Sequence, residues 1–172
     1  MKTIYECSQS NSVKWISAIF YSVVILSVFV MMYLIARGIY NLIIAWVVMA
    51  FILIPTILSF FIFPMYIVAD DEGVGIRTLA RTKHIPYENI DRIVRVDDQL
   101  LFSRISTIRL FGSGGVFGYI GWFRSKGIGT FLSYATDEKN VFLIYRMKGK
   151  PVAISVNDPN EFLPYYLKGG EK

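Results

Sequence analysis

Seven glycines fall between Gly112 and Gly129, interleaved with Phe117, Tyr119, Trp122 and Phe123 and with Arg124 and Lys126. Glycine-rich segments beside cations invite phosphate chemistry, because backbone N–H groups and a lysine together can cradle an anion. A nucleotide loop of that kind ends in Lys followed by Ser or Thr, which reach the terminal phosphates and a magnesium ion. Here Lys126 is followed by Gly127 and Ile128, and Gly112-Ser113-Gly114 lacks dinucleotide spacing after a clear βαβ start. The glycines are better assigned to tight turns, bulges and close backbone packing.

Other chemistries find little material. His84 is the only histidine, so a Ser–His or Cys–His pair would have to use it. Its neighbours Lys83 and Ile85-Pro86 describe a strand end rather than a nucleophile site. A single histidine removes the common zinc patterns. Cys7 is alone, which excludes an intrachain disulfide and a cysteine metal cluster. The acids Asp70, Asp71 and Glu72, and the pair Asp97-Asp98, sit in apparent turns where carboxylates are usually solvated. No catalytic residue, metal ligand or cofactor is therefore assigned, and the expectation is a protein that is not an enzyme.

The same glycine-rich stretch has a second use. From residue 99 to 136 there is no acid, while Arg104, Arg109, Arg124 and Lys126 are basic. Phe111, Phe117, Tyr119, Trp122 and Phe123 are interleaved with them. Rings at headgroup level flanked by cations make a membrane-contacting surface. Arg104, Arg109, Phe117, Tyr119, Trp122, Phe123, Arg124 and Lys126 are accordingly the membrane-interface candidates. The plainer assignment puts the rings in a protein core and the cations in water.

What would hold such a surface near lipid is legible upstream. Hydrophobic residues make up 54% of the chain, and they are unevenly spread. Residues 15–36 and 39–63 carry no charge, and each run exceeds the roughly 20 residues that a helix needs to cross a bilayer core. The first run is too long for a signal-peptide core and has no small-residue cleavage site after it. Arg37-Gly38 breaks the apolar sequence, so the spacing predicts two antiparallel transmembrane helices, 15–36 and 39–63. Pro55 is expected to kink the second or free a carbonyl for a neighbour to cover. Neither run contains the ionisable residue that an ion or proton path usually needs. Lys2 and Lys14 on one flank, and Arg77, Arg81 and Lys83 on the other, outnumber Arg37 in the loop. The positive-inside rule then places both termini in the cytoplasm.

From residue 65 the pattern alternates. Strands are expected at 65–69, 75–80, 90–96, 105–110, 131–135, 141–147 and 152–156, with turns at 70–73, 136–140 and 148–151. Asp158 as cap, Pro159 in the first turn and Glu161 three residues after the cap predict a C-terminal helix, with Phe162, Tyr165 and Tyr166 on one face. This part holds 15 of the 18 Lys and Arg and 12 of the 13 acids, a net charge of +3. That balance suits proximity to anionic headgroups and is too thin for nucleic acid.

The order of these elements, together with Ile85-Pro86-Tyr87-Glu88-Asn89-Ile90, resembles the bacterial pleckstrin-homology-like domain family. The run from Gly112-Ser113-Gly114-Gly115-Val116-Phe117 through Gly118-Tyr119-Ile120-Gly121-Trp122-Phe123 is similar to a signature of one branch. So is the ending Asp158-Pro159-Asn160-Glu161-Phe162. The resemblance implies a mainly-β, α+β PH-like domain over 65–168: a partly open barrel of two packed sheets closed by one C-terminal helix. Residues 1–14 and 169–172 are left as tails. It implies no established activity. The expected protein is a membrane-anchored PH-like binding or scaffold module of the bacterial inner membrane. Its ligand is a protein partner or lipid headgroups, and nucleic acid is excluded. The competing expectation is a non-catalytic subunit of a membrane transport or signalling complex.

Overall fold

The computed structural model describes residues 3–7, 9–38, 42–96, 101, 107–160 and 162. The two apolar runs are helices, α1 (Asn11–Ala36) and α2 (Leu42–Ile62). Ser10 starts α1, its side chain accepting the Val13 N–H at 3.3 Å, and the chain leaves α1 through Gly38 at φ 67°. Pro55 lies inside α2, where the Thr56 hydroxyl donates to the Ile52 carbonyl at 2.8 Å. At 1.5 Å per residue α1 is about 39 Å long and α2 about 31 Å. Among the described residues one helix, Asn11–Ala36, is long and apolar enough to cross a membrane; Ile43–Ser59 is a shorter apolar stretch.

Ten strands follow from the alternating segments and from one segment that does not announce itself. They are β1 (Thr3–Glu6), β2 (Pro64–Ala69), β3 (Gly73–Thr78), β4 (Thr82–Pro86) and β5 (Ile90–Val96). After these come β6 (Thr107–Gly114), β7 (Tyr119–Ser125), β8 (Gly129–Ala135), β9 (Val141–Arg146) and β10 (Val152–Ser155). One sheet has the order β1-β2-β3-β4 and the other β5-β9-β10-β8-β7-β6. All pairings are antiparallel except β10 with β8.

The sheets pack face to face. Ile67, Val74, Ile76 and Ile85 of the first meet Ile120, Tyr134, Phe142, Ile144 and Ile154 of the second in one core. The intervening residues Phe123, Phe131, Leu143 and Ala153 are buried on the other face of the six-stranded sheet, against Leu101. Strands β8 to β10 are thus covered on both sides, which is why Val141-Phe142-Leu143-Ile144 reads as an unbroken apolar run. Ser155 Oγ is buried where β10 meets the β8–β9 turn and accepts the N–H groups of Thr136 (2.8 Å) and Asp137 (3.1 Å).

Two features depart from the sequence expectations, and a third is met only in its first residues. Residues expected as a loose tail include β1, which extends the first sheet, and the Asn157 N–H donates to the Glu6 carbonyl at 3.2 Å. Four residues are too short to show a period, so only their pairing with β2 identifies them. The glycine-rich stretch is a β-hairpin, β6–β7, in which Gly112 and Gly121 are cross-strand partners. A Cβ on Gly112 would lie 2.1 Å from the Ile120 carbonyl oxygen, and one on Gly121 2.2 Å from that of Phe111. Both have positive φ, 114° and 129°, so these glycines let two strands cross closely instead of forming a loop. At the C-terminus, the backbone of Pro159, Asn160 and Phe162 is helical, and Asp158 accepts the Asn160 N–H at 3.0 Å. The rest of the expected C-terminal helix, with Glu161, Tyr165 and Tyr166, lies outside the described residues. Phe162 is buried against Tyr5 and Phe142, at ring distances of 5.3 and 4.9 Å.

Candidate binding surface

The β6–β7 hairpin carries most of the residues singled out by type, and its alternation sends them to different places. Its tip docks on α1. Phe117, at φ 61°, donates its N–H to Ser17 Oγ at 2.8 Å, and Ser17 in turn donates to the Val13 carbonyl. The Phe117 ring meets Tyr21 at 5.2 Å and Phe63 at 5.9 Å, edge-on in both cases. Gly115 leaves room for Ile16, whose Cδ1 would lie 3.3 Å from an added Cβ. The first turns of α1 are therefore seated on the domain, and Phe117 is only 9% exposed.

Along β7 the side chains part. Tyr119 donates its hydroxyl to Glu138 at 3.0 Å; burial and that hydrogen bond push its phenol up to about 12. Phe123 is 4% exposed and stacks on Phe131 on the outer face. Trp122 and Arg124 lie on the other face, in line with the core residue Ile120, Trp122 half-buried and Arg124 exposed. Arg109 is exposed opposite Phe123, and Lys126 is exposed in the β7–β8 turn. Arg104 lies outside the described residues. The hairpin thus brings together Trp122 and Arg124 and separates them from Phe117, Phe123 and Lys126.

Other strands complete the surface around Trp122. The Lys150 ammonium stands 4.9 Å above the Trp122 ring, and Leu132, the cross-strand partner of Trp122, donates its N–H to the Pro151 carbonyl. Arg146, on the same face of β9 as Ile144, donates Nε–H to the Lys150 carbonyl at 2.7 Å. From the opposite sheet comes Lys83, paired with the core residue Ile76 and so pointing inward, its ammonium 5.7 Å from the Tyr134 ring. Burial lowers the pKa of Lys83, and the nearby charges of Arg146 and Arg81 lower it further. Lys83 of one sheet and Arg146, Lys150 and Trp122 of the other thus stand toward one end of the core, here called the mouth, with Arg81 close enough to Lys83 to act on its charge.

Lys83, Arg81, Arg146 and Lys150 were not assigned a site from sequence. They come from β4, the turn before it, β9 and the β9–β10 turn, and no local spacing links them. The inward direction of Lys83 had one faint signal: it sits two residues before Ile85 in a strand, on the same face.

The remaining reactive types are accounted for. His84 Nε2 lies 3.5 Å from Asp70 Oδ1, an exposed pair on the outer face of β4. Although desolvation opposes it, the N–H groups of Gly73 and Glu72 and the His84 ring hold the Asp70 carboxyl below its usual value. Cys7 packs against the core, and burial pushes its thiol up to about 12, which keeps it from acting as a nucleophile. Among the described residues no three His, Cys, Asp or Glu side chains gather as a metal-holding group.

No curated protein and no solved structure matches the chain. The sequence model of the bacterial PH domain family matches residues 65–168, which takes in β2 to β10 and both sides of the mouth. The chain belongs to the bacterial PH domain family.

Proposed function

We propose that this protein is a membrane-anchored binding module, in which α1 and α2 cross the bilayer as an antiparallel pair and hold the domain against the surface. Family membership itself suggests a binding or scaffold module, and PH domains are generally non-catalytic. The observation that carries the anchor is the apolar surface of the helices. Trp15 is 72% exposed and Phe51 81%, and Ile19, Phe29, Ile43 and Trp46 are also uncovered. Water would oppose so much contiguous apolar surface at about 25 cal/mol per Å², whereas lipid favours it.

Length supports the same arrangement. The 21 residues of α2 match a hydrocarbon core of about 30 Å. The five extra residues of α1 correspond to its foot, where Val13 and Ser17 are buried on the domain. Lys14, Arg77 and Arg81 on the domain side against Arg37 at the turn favour a cytoplasmic domain, at the inner membrane of a bacterium. The membrane-contact role proposed for the hairpin then falls to its exposed members, Arg109, Arg124 and Lys126, with the exposed Ile108 and Phe111 beside them, and Trp122 only half-buried.

The test is thiol accessibility in intact cells, in a Cys7→Ser background. Arg37→Cys, in the helix turn, is expected to react with a membrane-impermeant reagent, and Lys126→Cys, exposed on the domain, is expected to react only after lysis. Labelling of Lys126→Cys in intact cells would invert the topology, and labelling of neither or both without lysis would remove the hairpin.

A further inference from the structure

We propose that the turn between β3 and β4 is immersed in the bilayer surface, with Leu79 as an apolar anchor at the depth where α2 leaves the hydrocarbon. This rests on the reading of α1 and α2 as a membrane-crossing pair and names the part of the domain that enters the lipid.

The first argument is position. The Ala80 N–H donates to the Phe61 carbonyl at 3.3 Å, so the hairpin turn is fastened to the end of α2. The last carbonyls of a helix lack partners within it, and this contact satisfies one of them. Pro64, two residues beyond α2, is the cross-strand partner of Thr78, which ties the turn to the helix end through the sheet as well. The turn is itself closed, because Thr78 donates both its N–H and its hydroxyl to the Arg81 carbonyl, at 2.9 and 2.8 Å. With the length of α2 matched to the hydrocarbon core, Phe61 lies at the edge of the apolar layer, and the turn bonded to it lies at that level too.

The second argument is residue type. At the far end of the same sheet, β2 and β3 are joined by Asp70-Asp71-Glu72-Gly73, the chemistry a turn in water favours. Asp70 there accepts the N–H groups of Glu72 and Gly73. Between Thr78 and Arg81, by contrast, stand Leu79 and Ala80, with neither glycine nor a polar side chain. Leu79 is 58% exposed, and Phe61, Ile62 and Met65 are exposed beside it in the chain path. Apolar surface thus continues from the helix onto the domain, and a bilayer covers both at once.

The third argument is charge. Arg77 and Arg81, both exposed, flank the turn, and the Arg77 guanidinium lies 5.7 Å from the Tyr66 ring. Their long stems let the charges reach the headgroups while Leu79 sits deeper, and a tyrosine favours the same headgroup level. Asp70, Asp71 and Glu72 are one six-residue strand away, about 20 Å. The first sheet therefore turns an apolar, cation-flanked end to the lipid and keeps its acidic turn off it. Because the anchor itself is apolar, it requires no particular headgroup.

The test uses single tryptophans in the full chain, reconstituted in nanodiscs of phosphatidylcholine with or without bromine on the acyl chain near its glycerol end. Trp15→Phe, Trp46→Phe and Trp122→Phe remove all three native indoles. On that background Leu79→Trp is expected to emit at shorter wavelength and to lose most of its emission to the brominated lipid. Asp71→Trp, in the opposite turn of the sheet, should be unaffected. A third protein keeps Trp46, in α2, as its one indole and reads the membrane crossing separately. Quenching of Trp46 without quenching of Leu79→Trp overturns the inference and leaves the anchor standing. Equal quenching of Asp71→Trp and Leu79→Trp also overturns it, because the whole sheet would then lie on the lipid. An unquenched Trp46 removes the anchor, and the inference with it. If Leu79→Trp does not melt cooperatively, Leu79→Cys carrying a nitroxide, in a Cys7→Ser background, replaces it. Collision of that nitroxide with oxygen rather than with a water-soluble nickel chelate supports immersion, and the reverse overturns it.

Discussion

The two ends of the β6–β7 hairpin are made of similar residues and are put to different uses. At the tip, Gly115 and Phe117 pack on α1, and the one non-glycine positive φ among the described residues is held there by the Ser17 hydroxyl. Toward the open end, Trp122 and Arg124 face the mouth beside Lys150. Both ends carry glycines and aromatic rings, so those residue types do not distinguish them, although the cations Arg109 and Arg124 fall only toward the open end. The partners do: the tip meets the helix foot, and the open end meets β9, β10 and, across the mouth, β4. A motif read as one site is a structural joint at one end and a half-buried surface beside β9 and β10 at the other.

The largest expected effect tests the strand crossing that carries both ends. Gly112→Ala or Gly121→Ala forces a Cβ into a backbone carbonyl at positive φ, and about 3 kcal/mol or more of stability should be lost. Thermal unfolding in detergent reads this, and Gly127→Ala, with nothing within 4 Å, should stay within about 0.5 kcal/mol. Retained stability in Gly121→Ala would mean the strands do not approach so closely.

Next comes the joint itself. Phe117→Ala removes a ring packed between Tyr21 and Phe63 and should cost about 3 kcal/mol. Ser17→Ala leaves the buried Phe117 N–H without its acceptor and should cost about 1–3 kcal/mol. Both should loosen the domain from the helices while leaving the Trp122 fluorescence of a Trp15→Phe, Trp46→Phe background unchanged. If they shift it, tip and open end are one unit and the contrast fails.

The smallest effect concerns the charge at the mouth. The Lys83 pKa is lowered in the fold, so the unfolded chain holds more protons once the pH approaches the amine range. The penalty is present in full below the folded pKa and is relieved as pH rises toward 10.5. Tyr119 acts in the opposite sense: its pKa of about 12 against 10.0 gives stability below pH 10 that is lost as pH rises through 12. The comparison is therefore between wild type and Lys83→Met, which share Tyr119. Wild type should gain stability relative to the variant as pH approaches 10.5, and Lys83→Met should be the more stable of the two at neutral pH. Parallel pH profiles would show that the mouth carries no uncompensated charge.

Much of this architecture was open to a reading of the sequence, because it depends on local periodicity. Continuous apolar runs become helices, and alternation becomes strands such as Ile90–Val96, found at the expected residues. The likeness over 65–168 is that of the family to which the chain belongs. Strand β4 escaped notice because Ile85-Pro86 looks like a boundary, and β7 because its glycines look like a loop. Of the expected interface residues, Phe117 is buried because the hairpin tip docks on α1, and Phe123 because it takes the outer face of β7 against Phe131, and neither follows from residue type.

The sequence by itself determined which segments are apolar enough to be helices, where most strands run and that His84 and Cys7 are poor material for catalysis. Only the tertiary structure decided that β1 extends the sheet, that the foot of α1 rests on Phe117, and that Lys83 and Arg146 share one mouth. The physical reason is range. Hydrophobic period and turn chemistry act over a few residues, whereas the meeting of Lys83 with Arg146, 63 positions apart, exists only once two sheets have paired in register and packed.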